Sequence, residues 1–156
     1  MNTLKDLLNI AIQGEVNSQK LYQRGVDIAG NEEIKEFFRR LVKEETVHEN
    51  LLFNIRETEL YDLSIPVDDP ELFKAARDSH GSAAVAFDEN WSIEEILSVA
   101  MKREFTAMKR YQKAAESTTN EELVTLFNNL SAEESNHHRT IEKQYNLLKG
   151  LAGEER

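Results

Sequence analysis

The sequence predicts an all-α fold: a four-helix bundle of two antiparallel helical hairpins joined by a long crossover. Three observations lead there. Six glycines and two prolines punctuate long stretches rich in Leu, Glu, Lys and Ala, and no segment alternates apolar and polar residues as a half-buried strand would. Along four segments apolar residues return at steps of three and four, the spacing of a bundle seam. Sliding the chain against itself by 89 residues aligns Thr3 to Leu52 with Ser92 to Ile141 without a gap, giving 14 identities in 50 positions. One domain over residues 1–156 is expected, since a chain of this length buries enough surface to stand without staples.

Each element has its own signals. The first helix opens at Thr3 with Asp6 three residues on, and the third at Ser92 with Glu95, both capping boxes; Trp91 and Ile96 are placed for a hydrophobic staple. The second and fourth open at Asn31-Glu32-Glu33 and Asn120-Glu121-Glu122, an N-cap followed by acids that suit the positive end of the helix dipole. A turn as short as Ala29-Gly30 makes the helices of a half antiparallel. Between the halves, about Asp62 to Asn90, lie Pro66, Pro70, Gly81 and a short helix begun by Asp69-Pro70. A connection of this size can run back along a helix roughly 37 Å long, which makes the second and third bundle helices parallel.

The bulk numbers exclude several functions. There are 29 acidic and 19 basic residues, a net charge of -10, which opposes binding to nucleic acid or an anionic membrane. Arg39-Arg40 and Lys102-Arg103 read as solvated helix faces. The absence of cysteine removes disulfides, thiolate metal sites and thiol catalysis from these residues, so any metal binds through oxygen and nitrogen. MNTLKDLLN lacks the pattern of a secretory leader and no apolar run approaches the ~18 residues of a membrane span, so a cytoplasmic protein is expected.

Four carboxylates and two imidazoles interrupt the seams. The first runs Leu4, Leu8, Ala11, Glu15, Ser18, Tyr22, and the second Phe38, Leu41, Glu45, His48, Leu52. The third runs Leu97, Ala100, Glu104, Ala107, Tyr111, and the fourth Phe127, Leu130, Glu134, His137, Ile141. An unpaired buried carboxylate costs several kcal/mol, and the seam positions hold no lysine or arginine. Two divalent cations supply +4 against -4 from the glutamates, with both histidines neutral. Residues three apart on a helix differ by about 60° and 4.5 Å, which lets both heads of an E-x-x-H converge. A single E-x-x-H means little in so glutamate-rich a chain. Two at one repeat offset, with Glu15 and Glu104 in phase, mean more, and match the ligand set of di-iron and di-manganese bundles.

The remaining polar residues carry less. His138 is off the seam and His80 lies in the crossover, so both read as surface residues. Glu44 and Glu133 adjoin seam positions on another face, where solvent or a subunit contact is the ordinary reading. His48-Glu49-Asn50-Leu51-Leu52 does not complete H-E-x-x-H, which removes the zinc-peptidase reading. Tyr22 and Tyr111 each follow a seam glutamate by seven residues; core packing and hydrogen bonding to a ligand carboxylate are both open.

The stretches QGE at Gln13 to Glu15, EETVH at Glu44 to His48, KREFTAMKRY at Lys102 to Tyr111 and EESNH at Glu133 to His137 resemble the ferritin-like di-iron carboxylate superfamily, and within it the rubrerythrin domain more than ferritin proper. The resemblance covers nearly the whole chain. It implies Glu15 and Glu104 as the more terminal carboxylate ligands, Glu45 and Glu134 as bridging ones, and His48 and His137 as imidazole ligands of two iron ions, with manganese or zinc as alternatives. It also implies a homodimer. Rubrerythrins in the strict sense carry a Cys-rich rubredoxin module and a further glutamate one turn from the equivalent of Glu104. Here there is no cysteine, and the positions one turn from Glu104 are Met101 and Ala107, so the departures touch the internal electron source and the redox-linked change of ligands. After the fourth helix only Lys149 to Arg156 follow, and the short fifth helix of cage-forming ferritins is not expected.

The function expected is a non-haem di-iron oxidoreductase acting on peroxide or dioxygen with an external electron-transfer protein. The alternatives are an iron-binding, ferroxidase or storage protein that takes ferrous ion, and a structural bundle holding zinc or no metal.

Overall fold

The computed structural model describes residues 2–78 and 90–150. Among the described residues five helices follow one another: α1 (Leu4–Ile28), α2 (Glu32–Glu57), α3 (Pro70–Asp78), α4 (Ile93–Glu116) and α5 (Glu121–Leu148). Both capping boxes form, Thr3 with Asp6 and Ser92 with Glu95, so each half starts by satisfying two otherwise orphaned N–H groups. Asn31 and Asn120 accept from the Ile34 and Leu123 amides, fixing the starts of α2 and α5 just after the turns.

Contacts across the bundle give its topology. Tyr22 of α1 reaches Glu104 of α4 while Glu15 of α1 meets Tyr111 of α4, so the two helices run antiparallel. His48 of α2 meets Glu133 of α5 and Glu44 of α2 meets His137 of α5, again antiparallel. With a tight turn inside each hairpin, α2 and α4 are therefore parallel, as a long crossover requires.

The crossover leaves α2 through Glu59, whose φ of 59° is left-handed, and runs against the start of α1. There Leu4 N–H donates to the Ile65 carbonyl and Lys5 N–H to that of Leu63, both at 2.9 Å, and Thr3 and Pro66 form an isolated antiparallel bridge. These bonds satisfy α1 amides that have no partner inside the helix. Leu63, Val67 and Phe73 are buried against the same end of the bundle. Asp69 accepts from the Leu72 amide and starts α3. Gly81 and His80 lie outside the described residues. No helix among the described residues is long and apolar enough to cross a membrane.

Two apolar clusters fill the interior. One contains Leu4, Leu8, Leu52, Ile55, Leu123 and Phe127; the other contains Leu21, Phe38, Leu41, Ile96, Leu97 and Ile141. The seam positions between them in the sequence are the polar ones, and Glu15, Glu45, His48, Glu104, Glu134 and His137 are all buried. The polar layer is thus plugged at both ends by side chains that exclude water.

Candidate metal centre

Each bundle helix contributes from mid-length: Glu15 from α1, Glu45 and His48 from α2, Glu104 from α4, Glu134 and His137 from α5. Their ligand-type atoms fall into two groups, Glu15, Glu45, His48 and Glu134, and Glu45, Glu104, Glu134 and His137, with atoms in each group within 4.8 Å of one another. Glu45 and Glu134 belong to both groups, and each group has one further carboxylate and one imidazole of its own.

The two outer carboxylates are pinned by tyrosines from the opposite half. The Tyr111 hydroxyl donates to Glu15 Oε1 at 2.5 Å, and the Tyr22 hydroxyl donates to Glu104 Oε1. Each carboxylate is left with its Oε2 directed inward. The histidines are held from outside: His48 Nε2 lies 2.9 Å from Glu133 Oε2, and His137 Nε2 bonds Glu44 Oε2. Paired in this way, Nε2 carries the proton that the carboxylate accepts, and Nδ1 faces the interior. Glu44 and Glu133 were expected on solvent or at a subunit contact. Their side chains are indeed 44% and 59% exposed, but their ends lean across the α2–α5 groove onto the opposing histidine.

The inward atoms are the test of whether metal fits. Glu15 Oε2, Glu45 Oε1, His48 Nδ1, Glu104 Oε2, Glu134 Oε1 and His137 Nδ1 are all buried and make no hydrogen bond. His48 Nδ1 stands 3.6 Å from Glu15 Oε2, 3.5 Å from Glu45 Oε1 and 3.2 Å from Glu134 Oε1. His137 Nδ1 stands 3.1 Å from Glu45 Oε1, 3.5 Å from Glu104 Oε2 and 3.3 Å from Glu134 Oε1. Orphaned buried acceptors cost heavily, and these six converge where two cations would satisfy them all. Oxygen with imidazole suits iron, manganese and zinc alike.

Crowding shows in the proton affinities. Burial, then the charge of Glu134, raises Glu104 to about 8. Burial and the charges of Glu15, Glu104 and Glu134 push Glu45 well above the ordinary carboxylate range. Burial also disfavours charge at Glu134, but the neighbouring His137 and His48 outweigh it and bring it down to about 2. The carboxylates likewise outweigh burial at His48, raised to about 10, and raise His137 too. Without metal the cluster therefore stores protons on its imidazoles and on part of its carboxylates.

The sequence matches the rubrerythrin family profile over residues 6–78 and 95–155. The chain belongs to the rubrerythrin family. Two solved structures resemble it in fold: ferritin-like, diiron-carboxylate proteins from Bacillus anthracis str. Ames (22% identity, 92% of this chain and 95% of that one, TM-score 0.67), and a chain from Thermotoga maritima described as a ferritin-like diiron-carboxylate protein (18% identity, 93% and 95%, TM-score 0.72). No curated protein gives a significant match. The four-helix bundle expected from the seams, and its ferritin-like form implied by the resemblance, are the fold of this rubrerythrin-family chain.

Two cations were not visible in the seam pattern. Arg110 is buried, with its guanidinium against Gly14, and Arg103, expected on a solvated face, is half-buried beside it on α4. Both sit on the flank of α4 that meets α1, where seam phasing does not look. The hint lay in the repeat: at the offset of 89 residues Arg110 replaces Leu21, a buried apolar position.

Proposed function

We propose that this chain is a non-haem di-iron oxidoreductase acting on peroxide or dioxygen with electrons from an external electron-transfer protein. The observation that carries the reading is the set of six buried, unbonded atoms converging from four helices. In this reading Glu15 and His48 would hold one ion and Glu104 and His137 the other, with Glu45 and Glu134, common to both groups, available to each. Bound iron would supply the electron transfer to a small oxidant that no side chain in the site can perform.

The chain's own residues set the conditions for that chemistry. Tyr111 and Tyr22 hold the outer carboxylates in one orientation, and Glu133 and Glu44 keep each imidazole's Nδ1 free of protons when metal enters. The apolar clusters above and below keep bulk water away from the layer. The absence of cysteine from these 156 residues leaves no thiolate cluster within them to supply electrons, which supports an external donor. Manganese or zinc fits the same donors.

The test is protein purified without oxygen, analysed for metal, loaded with ferrous ion and mixed rapidly with peroxide. Two irons per chain, oxidised faster than free ferrous ion and restored by added reductant, are expected; oxidation no faster than that of the free ion would sink the reading. A second reading, ferroxidation with iron passing through, is favoured by the half-exposed carboxylates of Glu44 and Glu133 on the outer side of the histidines. Iron retained through repeated cycles separates the first from the second. We propose a homodimer as the assembly, which sedimentation velocity checks.

A further inference from the structure

We propose that Arg103 and Arg110, on the flank where α4 packs against α1, form a binding site for a small oxyanion: phosphate, sulfate or a carboxylate. The site is separate from the metal centre and does not rest on that reading.

This flank is rich in donors and holds no carboxylate that answers them. Tyr22 meets Glu104 and Glu15 meets Tyr111, and the same register sets Gly14 against Arg110 and Leu21 against Arg103, with Asn17 and Thr106 between. Arg103, Thr106 and Arg110 stand at i, i+3 and i+7, one face of α4 spanning about 10 Å, over which two arginine side chains can reach a common point. Arg110 is 8% exposed and Arg103 is half-buried, yet neither makes a hydrogen bond or ion pair among the described residues, and Arg110 Nε is buried and unbonded. Asn17, also buried, accepts from Gln13 Nε2 at 3.0 Å, which leaves its own amide N–H groups to donate.

The polar layer behind the flank does not supply the missing acceptor. Glu15 takes the Tyr111 hydroxyl on one oxygen and turns the other inward, and Glu104 is held in the same way by Tyr22. Neither presents an oxygen to the arginines, whatever its protonation. Burial opposes the charge of Arg103, and the neighbouring Arg110 opposes it further, outweighing the favourable fields of Tyr22 and Glu104. Two like charges held together out of water are costly without a counter-charge, and paired guanidinium forks match the geometry of an oxyanion.

The repeat shows how the pair arises. Gly14 corresponds to Arg103 and Leu21 to Arg110, so both cations come from one helix, and the facing helix gives each a residue with no polar side chain. Gly14 also makes room: a Cβ there would stand 2.8 Å from Arg110 Nη1.

The test is calorimetric titration of phosphate into the full chain as purified, in a chloride buffer free of other oxyanions, with thermal melts in parallel. Wild type is expected to bind one phosphate saturably and to melt higher at millimolar phosphate, a concentration too low for general salting-out. Arg110→Leu and Arg103→Leu should each weaken binding roughly tenfold or more, and Arg110→Lys, which keeps the charge but loses the fork, should fall between. Arg103 is half-buried, so its variant decides the matter if Arg110→Leu folds poorly. Sulfate and acetate at equal ionic strength identify the source: tighter phosphate or sulfate assigns an inorganic oxyanion, tighter acetate a carboxylate. Wild type that binds none of the three, or binding that is unchanged in folded Arg103→Leu, overturns the proposal.

Discussion

Tyr111 of α4 donates a 2.5 Å hydrogen bond to Glu15 of α1, tying the outer carboxylate of one half to a hydroxyl of the other. Both groups are buried, so removing the hydroxyl leaves a carboxylate oxygen without a partner. Tyr111→Phe is expected to cost about 1–3 kcal/mol of stability in urea unfolding of the metal-free protein. Tyr22→Phe, which frees Glu104 in the same way, should match it.

Glu133 and Glu44 are predicted to matter for metal although they lie half in solvent. Replacing either by alanine removes the acceptor that orients an imidazole, and metal affinity should drop roughly 10–100-fold. Competition with a coloured chelator measures it. Equal affinity in both variants would mean that the histidines are held by packing alone.

The pH dependence of the metal-free protein has a definite sign. His48 is raised from 6.5 to about 10, so the stability it contributes is fully present below pH 6.5 and is lost as pH rises towards 10. Glu104, raised from 4.5 to about 8, acts in the same direction between those values, because its charged form is disfavoured in the folded state. Between pH 6.5 and 8 both terms operate, and thermal melts should shift downwards as pH rises. Metal uptake near neutrality must expel the stored protons, so calorimetric titration in buffers of different ionisation enthalpy should show net release and weaker binding at lower pH.

Gly25 and Gly14 are predicted to respond differently to alanine. A Cβ at Gly25 would stand 2.7 Å from three atoms of the Phe38 ring, which is wholly buried and has nowhere to move. Overpacking of this kind outweighs the helix propensity gained, leaving a net loss of about 1–2 kcal/mol. At Gly14 the obstacle is the end of a flexible arginine, and little stability should be lost. Denaturant midpoints of the two variants check the contrast.

Much of the architecture was legible because periodicity and internal repetition are properties of the chain itself. Glu15, Glu45, His48, Glu104, Glu134 and His137 stand out as charged groups at positions whose phase is otherwise apolar, and the structure brings all six together. Asn31 and Asn120 were equally plain as caps, since their role is local. The roles of Glu44 and Glu133 were hidden, because one residue off the seam reads as surface until the reach of a side chain across the α2–α5 groove is known. Arg110 was missed for a related reason: its burial depends on a missing Cβ on another helix. The pairing of Leu63 and Ile65 with the start of α1 left no periodic trace either.

The four outer bonds of the centre, Tyr22 to Glu104, Tyr111 to Glu15, His48 to Glu133 and His137 to Glu44, all run from one half of the repeat to the other. Neither hairpin alone can orient a complete set of donors. During synthesis the first hairpin emerges with an acidic patch but no finished socket, and the ion has nowhere to lodge until the second hairpin docks in register. Any ion the site takes would therefore have to wait for the correctly mated pair, since only that pair presents all six inward atoms.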